Sequence, residues 1–485
     1  MTDKNTPESS TLSAGDARIV MVWKIAEYLG LALFIVIIPR EMGPERYGEF
    51  AVLSSLLGLF ALASSLGGQV VFGRFIPEFR MHGKEGLTRL LFSQFLLLRC
   101  VLSVLAAVVF FSLLQQFLPD IHTSTRWMAT ALVSIAAIST TAYQLQFGLN
   151  RLRLFMSRDS SARLLLVLIL LLAGGEFRLE RIVLVMLAVE IVFLLLGFYW
   201  SRKYFVVDRR LWRLSGIYRY LKFGVQFFAS NLLLWVIWRS GELIVVELSG
   251  QGTEAAAYYN IANAITLTLY VLFTELSVLV IPSLSAMHIS GDHEKKIRWM
   301  ANILKYTTLG AWIAVIVVKS IGEPAVRLLM GEEYLPVTDN LLILVLALIP
   351  MSIIRIALSS ALVHERPRAN LWVTASALFV FIASAFLLTP KFGAEGTSMA
   401  VVVGSVAGAV VAYRVFQLGE IFGMARYWAL STVGILALVL SHSGLLPEII
   451  GGVLALLLLL TGTFLFGILH LDELRWITGG RKRIS

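Results

Sequence analysis

Long apolar runs dominate this sequence and restrict it to a narrow class of folds. Fourteen runs, bounded by charged residues or by Gly and Pro, cover residues 23–38, 50–68, 91–114, 127–147, 162–173, 182–200, 223–248, 258–281, 303–318, 341–363, 371–388, 396–416, 427–441 and 449–468. A transmembrane helix needs about 20 predominantly apolar residues. The sequence therefore predicts an all-α polytopic membrane protein with about 14 transmembrane helices. The fifth run, of about a dozen residues, is short for a span.

The composition excludes a water-soluble enzyme. Apolar residues make up 58% of the chain and charged residues only 15%, against roughly 25% charged in an ordinary soluble domain. The net charge of +10 is explained by Lys and Arg in cytoplasmic loops, so we expect no nucleic-acid partner. The single cysteine, Cys100, lies in an apolar run and excludes an intrachain disulfide.

Loop charge predicts the topology. Most of the 41 Lys and Arg residues fall on alternate connections, as the positive-inside rule requires of a correct span count. The other connections carry only Arg40, Arg46, Arg126, Arg178, Arg181, Lys319, Arg327 and Lys391. Both termini are therefore expected in the cytoplasm, and the protein is expected to be a multi-pass membrane protein.

A basic connection divides the chain into two halves of six spans each. We expect a disordered tail at 1–18, an N-terminal lobe at 19–201, a basic cytoplasmic linker at 202–222, a C-terminal lobe at 223–417, two additional spans at 418–470 and a basic tail at 471–485. Two halves of equal span count favour an internal repeat of the transporter kind.

The sequence contains no signature of an enzyme or a metal site. It has no GxxxxGK[ST], HExxH or GxSxG motif. The histidines fall in loops or at span ends, and no cofactor is expected. The outside loops are short, which disfavours a membrane-embedded glycan polymerase with a catalytic loop at that face.

Ionisable residues inside the spans are the candidate functional residues, because each costs at least a few kcal/mol to insert. Those that we single out are Arg99, Glu190, Arg239, Glu242, Glu275 and Arg355; Lys24 and Glu27 also open span one, where their long side chains can reach the interface. In span seven, Asn231, Trp235, Arg239 and Glu242 recur at +4, +4 and +3, which places them on one helix face. This stripe is either the wall of a hydrated cavity or an Arg239–Glu242 pair that neutralises itself. In span ten, Pro350 predicts a kink near Arg355.

The arginines favour an anionic substrate. A guanidinium stays charged when buried and binds phosphate in bidentate fashion. We therefore assign Arg99, Arg239, Arg355, Asn231 and Trp235 to substrate binding in a cavity. The carboxylates Glu242, Glu275 and Glu190 are assigned to orientation of the substrate or to ion coupling, although carboxylates also suit a cationic drug.

Six segments resemble a known family. They are MGPERYGEF at 42–50, GRFIPEF at 73–79, LKFGVQFFASNLL at 221–233, IPSLSAM at 281–287, LLMGEEY at 328–334 and PKFGAEGTSMA at 390–400. In this order they resemble the polysaccharide transporter family, the O-antigen and lipid-linked oligosaccharide flippases of the multidrug/oligosaccharidyl-lipid/polysaccharide superfamily, over residues 19–416. Many members carry an aspartate in span seven where this chain has Glu242.

The resemblance implies two six-helix lobes in a V around a central cavity, with two additional C-terminal helices that offer a groove for a lipid tail. It implies a flippase of the bacterial inner membrane that moves undecaprenyl-diphosphate-linked O-antigen or exopolysaccharide repeat units by alternating access. The expected partners are the lipid-linked glycan, membrane lipids, a coupling cation (H⁺ or Na⁺), and a polysaccharide polymerase with its chain-length regulator.

Other functions remain open at this point. Within the superfamily, the alternatives are a cation-coupled multidrug exporter and a peptidoglycan-precursor flippase. Outside transport, they are a glycan polymerase and a structural scaffold, which would gain nothing from the insertion cost of the charges.

Overall fold

The computed structural model describes residues 14–206, 214–278, 293–363, 367–416, 424–442 and 447–466, and within these ranges the chain is helical and contains no strand. The helices are α1 (Ala14–Met42), α2 (Pro44–Ala63), α3 (Gly68–Met81), α4 (Glu85–Phe117), α5 (Thr123–Gly148), α6 (Leu152–Ala173), α7 (Leu179–Ser201), α8 (Leu214–Arg239), α9 (Gly241–Leu248), α10 (Gly252–Val278), α11 (His293–Leu329), α12 (Val337–Leu346), α13 (Leu348–Val363), α14 (Pro367–Val415), α15 (Met424–His442) and α16 (Glu448–Leu465).

The predicted membrane-protein class is confirmed. Each of the fourteen apolar runs, as far as it is described, coincides with a helix, with part of α14 or with a broken helix pair. In the described ranges seven helices are long and apolar enough to cross a membrane, or nine if each of two bent pairs is one span. A total of fourteen spans is compatible with these helices.

The chain forms two compact units, Met1–Phe228 and Ala229–Ser485. Helix α8 passes from the first unit into the second. The last two helices, α15 and α16, belong to the second unit and pack against α11. Glycines permit this close packing, because a Cβ on Gly434 would collide with the Trp312 ring and one on Gly452 with Ser320.

In the first unit, the short fifth run is part of a full-length helix. Helix α6 has 22 residues and begins at Leu152, ten residues before the apolar run. At 1.5 Å per residue it is about 33 Å long, enough to cross a hydrocarbon core. It packs along α1, where Gly30 brings its backbone against Leu164. The added length comes from a polar first half that contains Arg158.

An elbow joins α2 to α3 in the first unit. Gly67 adopts a left-handed φ of 69°, which costs glycine little. A Cβ at this position would lie 2.6 Å from the carbonyl oxygen of Gly224. Helix α3 follows the second span and packs Phe72, Ile76 and Phe79 into a core with α4, α5 and the start of α8.

In the second unit, three long apolar segments are interrupted. The seventh run breaks at Ser240, between α8 and α9. The tenth is bent by 41° between α12 and α13, as Pro350 predicts, because proline removes a backbone donor and clashes with the preceding turn. The eleventh and twelfth runs are the two arms of α14, which reverse at Gly393, where φ is 61°. Gly404 and Gly408 bring these arms together against Ala377.

Candidate functional site

The predicted site residues divide between the two units. Arg99 and Glu190 lie in the first unit, and the other six lie in the second. Within each unit the side chains have distinct neighbours, which determine what they can do.

Arg99, on α4, holds the elbow between α2 and α3. Its side chain is fully buried. Nη2 donates hydrogen bonds to the carbonyl of Ser65 at 3.1 Å and to Oε1 of Gln144 at 3.2 Å. Nη1 donates to the carbonyl of Ala137 at 3.1 Å and to Oγ of Ser64 at 3.4 Å. The cation thus lies at the C-terminal end of α2, where the helix dipole favours positive charge.

The hydrogen bonds of Arg99 limit its availability for the predicted contact with substrate. The two terminal nitrogens of its guanidinium already donate to four uncharged groups, two in the elbow and two on α5. A substrate phosphate could reach Arg99 only if the protein exchanged these hydrogen bonds in another conformation. Contact with substrate therefore stays a prediction for Arg99, whereas its contacts to the elbow are present.

Glu190, on α7, pairs with a residue that lies outside the predicted apolar runs. Arg158 on α6 donates from Nε and Nη2 to Oε1 of Glu190 at 3.1 and 3.0 Å, and from Nη2 to Oε2 at 3.2 Å. The Arg158 and Glu190 side chains are only 16% and 10% exposed. Arg158 also pairs with the exposed Asp159 at 2.6 Å.

A signal for Arg158 was present in the sequence. The fifth run was too short for a span, and extension toward its N-terminus brings Arg158 into the same helix. A buried charge is less costly when an opposite charge lies beside it, and Glu190 in the next span is a carboxylate that could provide it.

Helix α8 carries the first three residues of the predicted stripe. Asn231 is exposed, and Trp235 and Arg239 are partly buried, one turn apart along the same face. The guanidinium carbon of Arg239 lies 5.6 Å from the centre of the Trp235 ring, a cation–π contact. The stripe does not continue as one helix to Glu242, because the helix breaks at Ser240.

Glu242 is fully buried at the start of α9. Its Oε1 accepts hydrogen bonds from Nδ2 of Asn260 at 2.8 Å and Nδ2 of Asn263 at 3.4 Å, both on α10. Tyr259 also lies beside it, and it can do so because residue 241 is glycine: a Cβ there would collide with the Tyr259 ring. Among the described residues, Oε2 of Glu242 has no hydrogen-bond partner. The asparagines of α10 were missed because amides carry no charge, although their spacing of three residues marks one helix face.

Arg355, on α13, lies near a second cation that was missed. Leu304 of α11 and Ile356 of α13 share one core cluster, and Thr308 and Ser352 share a hydrogen bond of 3.0 Å. Lys305 and Arg355 therefore lie at the same level of this helix pair. Lys305 is 6% exposed, and its Nζ lies 4.8 Å from the centre of the Tyr306 ring. It was missed although it lies in the ninth run, because it stands at the start of that run, beside a basic loop.

Two remaining predictions concern Glu275 and metal ions. Glu275 belongs to α10, but its side chain lies outside the described residues. In the part of the chain that the structure describes, no group of three or more His, Cys, Asp or Glu residues could hold a metal ion.

Comparison with known proteins gives a family and a fold. The family model described as "Polysaccharide biosynthesis protein" matches residues 15–288, more than half of the chain. The sequence matches no curated protein significantly.

Several solved structures share the fold. The lipid II flippase MurJ, in an inward closed conformation, aligns with a TM-score of 0.68 at 13% identity over 93% of this chain and 100% of its own. An inward-facing multidrug resistance MATE family transporter of the MOP superfamily aligns with a TM-score of 0.66 at 14% identity over 82% of this chain and 99% of its own. The Vibrio cholerae MATE transporter VcmN in the bent form aligns with a TM-score of 0.55 at 14% identity over 84% of this chain and 98% of its own. At these identities the likeness concerns the fold.

Proposed function

Because the chain belongs to the polysaccharide biosynthesis protein family, we propose that it is a flippase for an undecaprenyl-diphosphate-linked oligosaccharide, an O-antigen or exopolysaccharide repeat unit. The family match confirms the resemblance found in the sequence. Family and fold assign the chain to transport proteins and not to enzymes. The nature of the substrate, the bacterial inner membrane and the cytoplasmic termini are parts of the proposal.

The α8 stripe is the observation that carries this proposal. An exposed amide at Asn231 and a partly buried guanidinium at Arg239 are costly against hydrocarbon, so this face suits a hydrated surface better than a lipid one. Between them, Trp235 offers a flat apolar ring of the kind that packs against a sugar. An aromatic ring followed one turn later by a guanidinium matches the order of groups in a glycan diphosphate.

The physical task of such a protein is to keep the glycan out of hydrocarbon. Each sugar hydroxyl moved into an apolar phase without a hydrogen bond costs several kcal/mol. A polar protein surface supplies the lost hydrogen bonds while the polyprenyl tail remains in lipid. Alternation between two conformations then exposes this surface to each side in turn. Arg355, Arg99 and Lys305 are further candidates for contacts to the diphosphate.

Glu242 is the candidate coupling residue. A fully buried carboxylate with one unsatisfied oxygen is expensive when ionised. Binding of H⁺ or Na⁺ would remove that cost, so the state of Glu242 can bias the protein between two conformations. The Arg158–Glu190 pair, by contrast, satisfies its own charge, which makes Glu190 a weaker candidate for coupling.

The similarity to the lipid II flippase favours one alternative, a peptidoglycan-precursor flippase. The similarity to MATE transporters keeps a cation-coupled multidrug exporter open. Both alternatives predict a different cargo for the same fold. A polysaccharide polymerase and its chain-length regulator are the expected protein partners of a glycan flippase.

A reconstituted flipping assay tests the proposal. The purified protein in liposomes is given undecaprenyl-diphosphate-linked oligosaccharide, lipid II or a cationic dye, and the movement of each between leaflets or into the lumen is measured. We expect movement of the oligosaccharide lipid, with loss in Arg239→Ala and partial retention in Arg239→Lys. Arg298→Ala, at an exposed arginine paired with Glu294, is the matched control. Movement of lipid II or the dye alone, or full activity of Arg239→Ala, would contradict the proposal.

A further inference from the structure

Helix α10 carries a polar face that the proposed function has not used. Tyr259, Asn263, Thr266 and Tyr270 follow one another at +4, +3 and +4, the spacing of a single helix face. Tyr259 and Thr266 are fully buried, Asn263 is 2% exposed, and Tyr270 is partly buried. At 1.5 Å per residue the face extends about 16 Å along the helix, half the thickness of a hydrocarbon core.

Most of these groups retain unused hydrogen-bonding capacity. Among the described residues, the hydroxyls of Tyr259 and Tyr270 and Oδ1 of Asn263 have no hydrogen-bond partner. The same holds for Oε2 of Glu242 at one end of the face. Buried polar atoms are almost always satisfied by protein or by ordered water. If this face only packed against other helices, apolar residues at these positions would be less costly to bury.

The contacts of the face connect it to Glu242 and to Trp238. At one end, Asn263 donates from Nδ2 to the carbonyl of Trp238 at 2.7 Å and to Glu242 at 3.4 Å. At the other end, Tyr270 packs its ring 5.8 Å from that of Trp238 and interacts electrostatically with Arg355 of α13.

Among the described residues, two ionisable side chains act on Glu242. Arg239 of α8 and Tyr259 of α10 interact electrostatically with its carboxylate. On α9 itself the other ionisable residue is the exposed Glu247. Helix α14, which also packs on α9, has ionisable residues only near its ends and its turn: Arg368, Lys391, Glu395, Tyr413 and Arg414.

We propose that this face of α10 is a proton path inside the second unit, which leads from Glu242 toward the side of the membrane on which α10 ends at Val278. The path rests on the proposed coupling role of Glu242. Side chains one helical turn apart are separated by about 5–6 Å, a gap that one water molecule bridges. A tyrosine or threonine hydroxyl both donates and accepts hydrogen bonds, so Tyr259 and Tyr270 can pass a proton between such waters. Thr266 can do so once its hydroxyl exchanges the carbonyl of Ala262 for a water. A metal cation would instead need several oxygens around one point, whereas these oxygens are spread along the helix.

Chemical labelling of Glu242 tests the path without any lipid substrate. Dicyclohexylcarbodiimide modifies carboxyl groups in apolar surroundings when they are protonated, and mass spectrometry of the peptide that contains Glu242 measures the rate. Right-side-out and inside-out membrane vesicles allow the pH on each side to be set separately. We expect the labelling rate to rise when the side at Val278 is acidified. Thr266→Val and Tyr270→Phe should lower this response by about tenfold or more, since positioned proton relays contribute roughly 10²–10⁴.

Matched controls lie on the same helix but off the face. Thr268→Val removes a hydroxyl that donates to the carbonyl of Ala264 at 2.7 Å, much as Thr266 donates to that of Ala262 at 2.9 Å. Tyr258→Phe removes a hydroxyl that bonds Glu254. Both controls should respond to pH as the wild type does.

Two results would overturn the path. One is an unchanged pH response in Thr266→Val and Tyr270→Phe. The other is protection of Glu242 by Na⁺ at constant pH together with no effect of pH on the Val278 side. If the labelling results hold but no lipid-linked oligosaccharide moves in the flipping assay, the proposed function fails and the proton path stands.

Discussion

Separation of the Arg158–Glu190 pair should destabilise the first unit strongly, whereas replacement of both residues should not. The three contacts between these side chains lie at 3.0–3.2 Å, and the side chains are 16% and 10% exposed. Removal of one partner from a buried pair leaves a charge uncompensated and costs about 3–5 kcal/mol. Replacement of both partners by apolar residues of similar size is often close to neutral.

The test is a double-mutant cycle. Arg158→Met and Glu190→Leu should each lower the free energy of unfolding, measured by SDS titration of purified protein, by about 3–5 kcal/mol. The double variant should recover most of that loss, so the two effects should be far from additive. The exposed pair Arg298 and Glu294, which are 71% and 85% exposed, serves as the control, and its disruption should cost about 0–1 kcal/mol.

Additive losses in the cycle would refute the reasoning, because they would show that the two charges do not stabilise each other. The same variants test Glu190 as a coupling carboxylate. If the stable double variant also moves substrate at the wild-type rate, Glu190 has no role in transport. If it is stable but inactive, the Arg158–Glu190 pair acts in transport as well as in folding.

Three further predictions concern single residues. Arg99→Ala should lower stability by about 2–5 kcal/mol, because it leaves buried acceptors of the elbow unsatisfied; unchanged thermal unfolding would contradict this. Gly67→Ala should destabilise the protein more than Gly83→Ala. Both glycines have positive φ, but of the two only Gly67 has a backbone oxygen within 2.6 Å of an added Cβ. Equal melting temperatures of the two variants would show that this close approach is unimportant for stability. Trp235→Ala should lower flipping of the glycan lipid severalfold while Trp235→Phe retains most of it, as measured in liposomes; equal activities would exclude a role for the ring.

The sequence was sufficient for the class of fold because hydrophobic length is a local property. Each apolar run had to become a helix in a bilayer, and each did within the described residues. Pro350 likewise predicted the bend of the tenth run from backbone chemistry alone. The polar ends of helices were harder to predict. The fifth apolar run begins at residue 162, whereas its helix, α6, begins ten residues earlier, at Leu152.

The sequence predicted only part of the candidate site. Charged residues such as Arg99 and Glu242 were conspicuous in apolar runs, but their partners were not. Asn260 and Asn263 are uncharged, and Arg158 looked like a loop residue until α6 brought it to Glu190. Whether a buried charge is satisfied depends on helices that are remote in the chain.

The amino-acid order alone determined that this protein is a helical membrane protein and where its costly charges lie along the chain. The tertiary structure decided which of these charges are satisfied by neighbouring groups, as Arg99 is at the elbow and Glu190 is by Arg158. It also decided which keep an atom without a hydrogen-bond partner among the described residues, as Glu242 does. The physical reason is that insertion into a bilayer is governed by local hydrophobicity, whereas the energy of a buried charge is governed by the hydrogen bonds and charges within a few ångströms of it.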